Sequence, residues 1–163
     1  MNCVLKPEAF DSVKDQIGSC GIWCGSCVLG NGALKELTMR YKELVERYGL
    51  EEWATKDFDY ERFKKELTSV QEVPFCSGCL KGGGRTDCEM RSCASNKKIA
   101  DCVECDEYMT CKNSELLQKM RKGARDANLL VKDRNVDRQE FIVKGMEELR
   151  RRFPSCILLC DKH

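Results

Sequence analysis

The sequence predicts a mainly α-helical fold with an irregular cysteine-rich metal-binding module, a small α+β arrangement with few short strands. Three observations carry this. Apolar residues recur at three- and four-residue steps in four stretches of the chain, the period of a helix with one buried face. No segment sustains period-two alternation, so strands are expected to be short and to sit in the module. Seven cysteines fall between Cys76 and Cys111, in a segment with few apolar side chains. Metal–thiolate bonds would have to hold such a segment, and their binding energy would then be folding energy. At 163 residues the chain fits a single domain, 1–163. Within it, the cysteine-rich region covers about 19–112, interrupted by helices over 33–68, and a helical C-terminal part covers 113–163.

In chain order, Pro7 followed by Glu8, Ala9 and Phe10 suits the start of a short helix, because proline is tolerated in a first turn. Cys3 stands alone and is read as a spare thiol. From Ala33 to Tyr48, the residues Leu34, Leu37, Tyr41, Leu44, Val45 and Tyr48 form an apolar stripe with charged residues between them, and Gly49 is a natural stop. This stripe is expected to be core, packed against the metal module. A second helix is predicted from Asp59, a good N-cap, to Thr68, burying Phe63 and Leu67, with Pro74 beyond it. After the cysteines, Asn113 or Ser114 is placed to cap a helix carrying Leu116, Leu117, Met120, Ala124, Ala127 and Val131. Asp137 with Glu140 makes a start resembling a capping box. The last helix carries Ile142, Met146, Leu149 and Phe153, stops at Pro154, and is weakened by Gly145. The apolar tail from Cys156 to Cys160 returns to the core in this reading, and its two cysteines are left out of the ligand set.

Ten cysteines are candidate metal ligands: Cys20, Cys24, Cys27, Cys76, Cys79, Cys88, Cys93, Cys102, Cys105 and Cys111. The pairs Cys76/Cys79 and Cys102/Cys105 have the two-residue gap that lets both sulfurs of a tight turn face one ion. Gly78, Gly82, Gly83 and Gly84 lie beside the first pair, where backbone folding closely around a metal needs positive φ. The only histidine is His163, so tetrathiolate sites are expected, and these suit zinc or iron–sulfur clusters. Two zinc sites would use eight thiols, with Cys76/Cys79 joined either to Cys88/Cys93 or to Cys102/Cys105; the linear sequence does not choose. The Cys-x-x-Cys turn followed by Gly82 favours zinc, in the manner of a zinc knuckle. The three-then-two spacing of Cys20, Cys24 and Cys27 favours a [4Fe-4S] cluster. That spacing also occurs in radical S-adenosylmethionine enzymes, but those need a large barrel of βα units that this chain has neither the length nor the strand pattern to build.

Lysine and arginine number 28 against 27 aspartate and glutamate, a net charge of +1, which argues against a nucleic-acid partner. No apolar run is long enough to cross a bilayer, and the first ten residues lack the pattern of a secretory signal. A cytoplasmic protein is expected. The odd count of thirteen cysteines, at metal-ligand rather than scattered spacing, argues against a disulfide scaffold.

The ordered set of spacings resembles that of a prokaryotic cysteine-rich family known as domain of unknown function 3795. The residues that carry the resemblance are Cys20-Gly21-Ile22-Trp23-Cys24-Gly25-Ser26-Cys27, Phe75-Cys76-Ser77-Gly78-Cys79, Cys88 with Cys93-Ala94, and Cys102-Val103-Glu104-Cys105 with Cys111. It spans about Ser19 to Lys112 and implies a cysteine-rich metal-binding protein, without a reaction or a substrate. No internal histidine and no phosphate-binding glycine loop is present, so the expectation is a structural or adaptor protein rather than an enzyme. In that reading zinc is held by cysteine thiolates and the helices face a protein partner. The alternative is an iron–sulfur protein that transfers electrons or senses redox state.

Overall fold

The structure is a computed structural model that describes residues 8–152. Cys3, Pro7, Phe153, Pro154, the tail from Cys156 to Cys160 and His163 lie outside the described residues. The described residues form seven α-helices: α1 (Glu8–Val13), α2 (Ala33–Arg47), α3 (Leu50–Trp53), α4 (Tyr60–Gln71), α5 (Glu89–Lys97), α6 (Ser114–Asp126) and α7 (Arg138–Arg152). Single 3-10 turns stand at Cys24–Ser26, Cys79–Lys81 and Cys102–Glu104. The expected short strands are reduced, among the described residues, to two isolated antiparallel bridges, Ile17 with Trp23 and Ile22 with Val131. The cause is local: the chain turns back at Gly18–Gly21 and enters the Cys24 3-10 turn immediately after Trp23, so no ladder can extend.

Helices α2, α4, α6 and α7 form where the apolar period places them, except that α6 stops at Asp126, leaving Ala127 at its C-cap and Val131 in a bridge with Ile22; three of their termini show why. Gly49 adopts φ 60° after α2, a left-handed conformation that costs a glycine little. Asp59 accepts the Arg62 N–H at 2.9 Å and caps α4, which runs on to Gln71 rather than ending at Thr68. Asp137 accepts the Gln139 and Glu140 N–H groups at 2.9 Å each. Glu140 turns instead to Lys144, so only half of the expected capping box is made. Asn113 occupies the N-cap of α6 without a side-chain bond to it. Helix α5 was not legible from period alone, because only Met90 and Ala94 of its residues are buried.

The core lies between the first cysteine motif and α7. Ile17, Trp23, Ile142 and Leu149 form it, with Phe10, Leu130, Phe141 and Met146 packed around them. Trp23 is fully buried, its Nε1 donates to the Lys14 carbonyl at 2.7 Å, and Phe10 meets it edge-on at 6.5 Å. A β-carbon at Gly145 would lie 2.6 Å from the indole Cζ3. The glycine that weakens α7 therefore makes room for the largest side chain of the core.

The expected burial of the α2 stripe is corrected. Leu37, Tyr41 and Leu44 are about half exposed and Tyr48 more so, while Val45 is buried. Phe63 and Leu67 of α4 are half-buried, and α4 buries no residue completely. The helix faces α4 rather than the body of the protein, joined through Tyr41 and Phe58 on the Phe63 ring at 6.1 and 5.2 Å. A single partner helix covers only part of an apolar stripe. In the same way Leu116 of α6 and Ala127 at its C-cap stay exposed, and the buried line of that helix is Leu117, Arg121 and Ala124.

Candidate metal centre

All ten candidate cysteines carry free thiols and all are half-buried. The first motif sits in a loop whose peptide groups are satisfied far away in sequence. The Cys24 N–H donates to the Gln16 carbonyl at 2.8 Å, the Trp23 N–H to Leu130 at 2.9 Å and the Lys132 N–H to Gly21 at 2.8 Å. The Leu130 N–H donates to Ser26 Oγ at 2.9 Å. Burying this loop requires these partners, since a buried peptide group without one costs as much as a lost hydrogen bond.

Gln16 brings the second motif to the first. Its amide nitrogen donates to the Ser77 carbonyl at 2.9 Å and its Oε1 accepts the Leu80 N–H at 3.0 Å. The turn between Cys76 and Cys79 is thereby clipped to the end of α1. Gly78 has φ 88°, and a β-carbon there would meet Gln16 Oε1 at 2.4 Å; only glycine fits. A β-carbon at Gly83 would stand 2.8 Å from Cys76 Sγ, so the glycine run closes over that sulfur. A β-carbon at Gly18 would lie 3.4 Å from Cys79 Sγ and 3.6 Å from Cys20 Sγ. The sulfurs of the first and second motifs therefore flank one small space.

Electrostatics follow this placement. Burial pushes the Cys24 thiol up to about 11, assisted by the charges of Cys79, Cys20 and Cys76 and opposed by a Cys79 backbone N–H on its sulfur. Burial raises Cys20 as well; the Ile22 N–H opposes the shift and the charges of Cys79 and Cys88 add to it. Cys102 is pushed up to about 12 by burial and by the charges of Cys93, Cys20, Cys111 and Asp101. Thiols crowded together out of water stay protonated unless a cation offsets them.

The remaining cysteines lie along α5 and the turns after it. Cys88 stands at the N-cap of α5 and Cys93 within the helix. Cys102 begins a 3-10 turn capped by Asp101, which accepts the Val103 N–H at 3.0 Å. The Cys102 N–H donates to the Ser19 carbonyl at 2.8 Å, tying this third segment to the first motif. Cys105 Sγ is 3.6 Å from Lys97 Nζ. Cys27 lines a hollow of about 470 Å³ with Ser26, Val28, Ala127, Asn128, Leu129 and Arg152, where no other cysteine among the described residues contributes. Cys79 acts by its charge on both Cys20 and Cys24, and Cys76 on Cys24. Among the described residues, no group of three or more cysteine, aspartate, glutamate or histidine side chains stands close enough together to hold a metal ion.

Sequence reasoning missed four residues that support this region. Gln16 is one. Arg121, only 1 % exposed, donates to the Cys20 carbonyl at 3.0 Å and to the Lys132 carbonyl at 2.7 Å. Lys132, also 1 % exposed, pairs with the fully buried Asp101 at 3.2 Å and with Glu104 at 2.8 Å. Burial alone would lower the Lys132 ammonium, but the Glu104 bond and the Asp101 charge outweigh it and leave it raised. A signal existed for two of them. Lys132 directly follows the apolar run Leu129-Leu130-Val131, and Arg121 falls on the apolar line of α6.

The fold and its thiols define a helical, cysteine-rich protein whose loops are knitted together by buried polar groups. The chain belongs to a family described as protein of unknown function (DUF3795), whose sequence model matches residues 16–116. No curated protein and no solved structure matches it. The matched span ends at the start of α6, so Arg121 and Lys132 lie beyond it. No helix among the described residues is long and apolar enough to cross a membrane.

Proposed function

We propose that this chain binds a soft metal through cysteine thiolates, with zinc in closed structural sites, and serves as an adaptor for a protein partner. One observation carries the reading: Gln16 bonds to Ser77 and Leu80, and the Cys102 N–H bonds to the Ser19 carbonyl, so three cysteine segments distant in sequence are tied together. Burial, with neighbouring thiols adding to it, raises Cys24 to about 11 and Cys102 to about 12. A divalent ion would reverse that situation, because it offsets the thiolates it binds and displaces their protons. The adaptor role is supported by the half-exposed Leu37, Tyr41 and Leu44 on α2, and a cytoplasmic setting would keep the thiols reduced. Neither a membrane nor a nucleic acid is part of the reading.

A second reading, an iron–sulfur cluster with an electron-transfer or redox-sensing role, is favoured by the backbone N–H groups of Ile22 and Cys79 on the sulfurs of Cys20 and Cys24. Such hydrogen bonds tune the potential of a cluster. The deciding experiment is elemental analysis with a visible spectrum on protein purified without oxygen. About two zinc per chain and no colour support closed tetrathiolate sites. Iron with acid-labile sulfide and a brown colour overturn zinc in favour of the cluster. Protein free of both metals, and unable to take up either, overturns metal binding altogether.

A further inference from the structure

We propose that the corner where α2 gives way to α3 docks a positively charged amphipathic helix of a partner protein, with Leu44, Tyr48 and Trp53 as the apolar anchors. This rests on the adaptor half of the reading above and is independent of the metal. It adds which surface meets the partner and what the partner carries.

The apolar part of the surface comes first. Leu44 and Tyr48 lie one turn apart on the same side of α2, and Tyr48 is the C-cap of that helix. Gly49, at φ 60°, turns the chain at once into α3, which ends on Trp53. Helix α4 reaches the α2 stripe at Tyr41, through Phe63. Exposure climbs along the stripe from 47 % at Leu37 to 73 % at Tyr48, and reaches 82 % at Trp53. Tyrosine and tryptophan are the side chains that protein interfaces use as anchors, because each buries a large rigid ring and still offers a polar tip.

Charge says what covers them. From 43 to 61, seven acidic residues stand against Arg47 and Lys56, a charge of −5 in a chain whose net charge is +1. Glu43 pairs with Arg47, Glu61 pairs with Lys64 and Asp59 caps α4, which leaves Glu46, Glu51, Glu52 and Asp57 with no ion pair among the described residues. A second copy of this chain, docked about a two-fold axis, would set that charge against itself. A nucleic acid or an anionic bilayer would meet the same repulsion. An added strand would find no sheet edge, since the described residues make only isolated bridges. A helix with one apolar face and lysine or arginine beside it answers both features: its apolar face covers the anchors and its cations meet the unpaired carboxylates.

The test pans the full chain, purified without oxygen, against a display library of random peptides about four helical turns long. A double variant, Tyr48→Ala with Trp53→Ala, is panned in parallel. Both altered side chains are mostly exposed, and the near-ultraviolet signal of the buried Trp23 checks that the variant is folded. Expected are enriched peptides of net positive charge, with apolar residues at three- and four-residue steps. Made synthetically, they should bind the double variant at least about tenfold more weakly and shift the Trp53 emission to the blue. Their affinity should also fall as salt rises, and fall again in a variant carrying Glu51→Lys and Glu52→Lys. Enriched peptides that are acidic or uncharged, or that bind the double variant as well as the unaltered chain, overturn this surface and leave the adaptor reading standing. Self-association of the unaltered chain that the double variant abolishes overturns it in favour of a second copy. A library that yields no binder overturns the adaptor reading, and this surface with it.

Discussion

Between Ala33 and Gln71 the chain makes two long helices that meet through Tyr41, Phe58 and Phe63 yet leave much of their apolar surface in water. Between Gln16 and Cys27 it makes one 3-10 turn and two isolated bridges, yet buries Ile17 and Trp23 completely. Regular structure and burial are thus separated in this molecule. A helix satisfies its own peptide groups and can stand half-exposed. An irregular loop cannot, so its peptide groups must find partners elsewhere. The loop finds them in 128–132 and in the turn at Cys102, and burial follows from those ties.

If that contrast holds, damage to the loop and its supports should be global and damage to the hairpin local. Trp23→Ala gives the largest expected effect, a loss of about 3–5 kcal/mol in urea unfolding, because the indole fills the space over Gly145 and no neighbour can collapse into it. Lys132→Met comes next at about 3 kcal/mol, since it leaves the fully buried Asp101 carboxylate without its ammonium; converting Asp101 to Asn in the same chain should recover part of that loss. A cost under 1 kcal/mol for either single change would show that the loop is not held as described.

The pH dependence of metal-free protein sharpens the same point. Cys24 and Cys102 titrate higher in the folded chain, at about 11 and 12, than their ordinary value of 9.0. Between those limits the folded state holds protons that the unfolded state has released, so stability falls as pH rises. The contribution is complete below pH 9 and lost on the way to pH 12. Thermal unfolding followed from pH 8 upward should show that decline, and Cys24→Ser should reduce it. The smallest effect is reserved for the hairpin: a double-mutant cycle of Tyr41→Ala and Phe63→Ala should return a coupling of about 0.5–1.5 kcal/mol, with the near-ultraviolet signal of Trp23 unchanged. A change in that signal would mean that the hairpin and the loop are one unit.

Much of this architecture can be read from the chain, and the parts that cannot share one physical feature. Helices α2, α4, α6 and α7 announce themselves because their period is local, and Asp59 and Asp137 act within three residues. The burial of the α2 stripe was not legible, since period reports that a face is apolar and says nothing about how many partners cover it. The family could be identified because its cysteine spacings are local as well. Which cysteine segments lie beside one another could not be read, because Gln16 reaches to Ser77 and Leu80, and Ser19 to Cys102, contacts that no window of sequence contains. Asp101 and Lys132 belong to the same class: each is an ordinary charged residue until the fold buries them together.

The hydrogen bond from Leu130 to Ser26 closes 104 residues of chain. On a ribosome adding residues at a few to twenty per second, that separation corresponds to roughly 5–20 s of synthesis. Helices α2 and α4 form within microseconds of their emergence, whereas the cysteine motif that precedes them waits for the segment that seals it. The thiols of that motif are therefore enclosed long after they leave the ribosome. For those seconds their fate depends on which ions and oxidants the nascent chain meets, and the order of translation becomes part of how the protein is assembled.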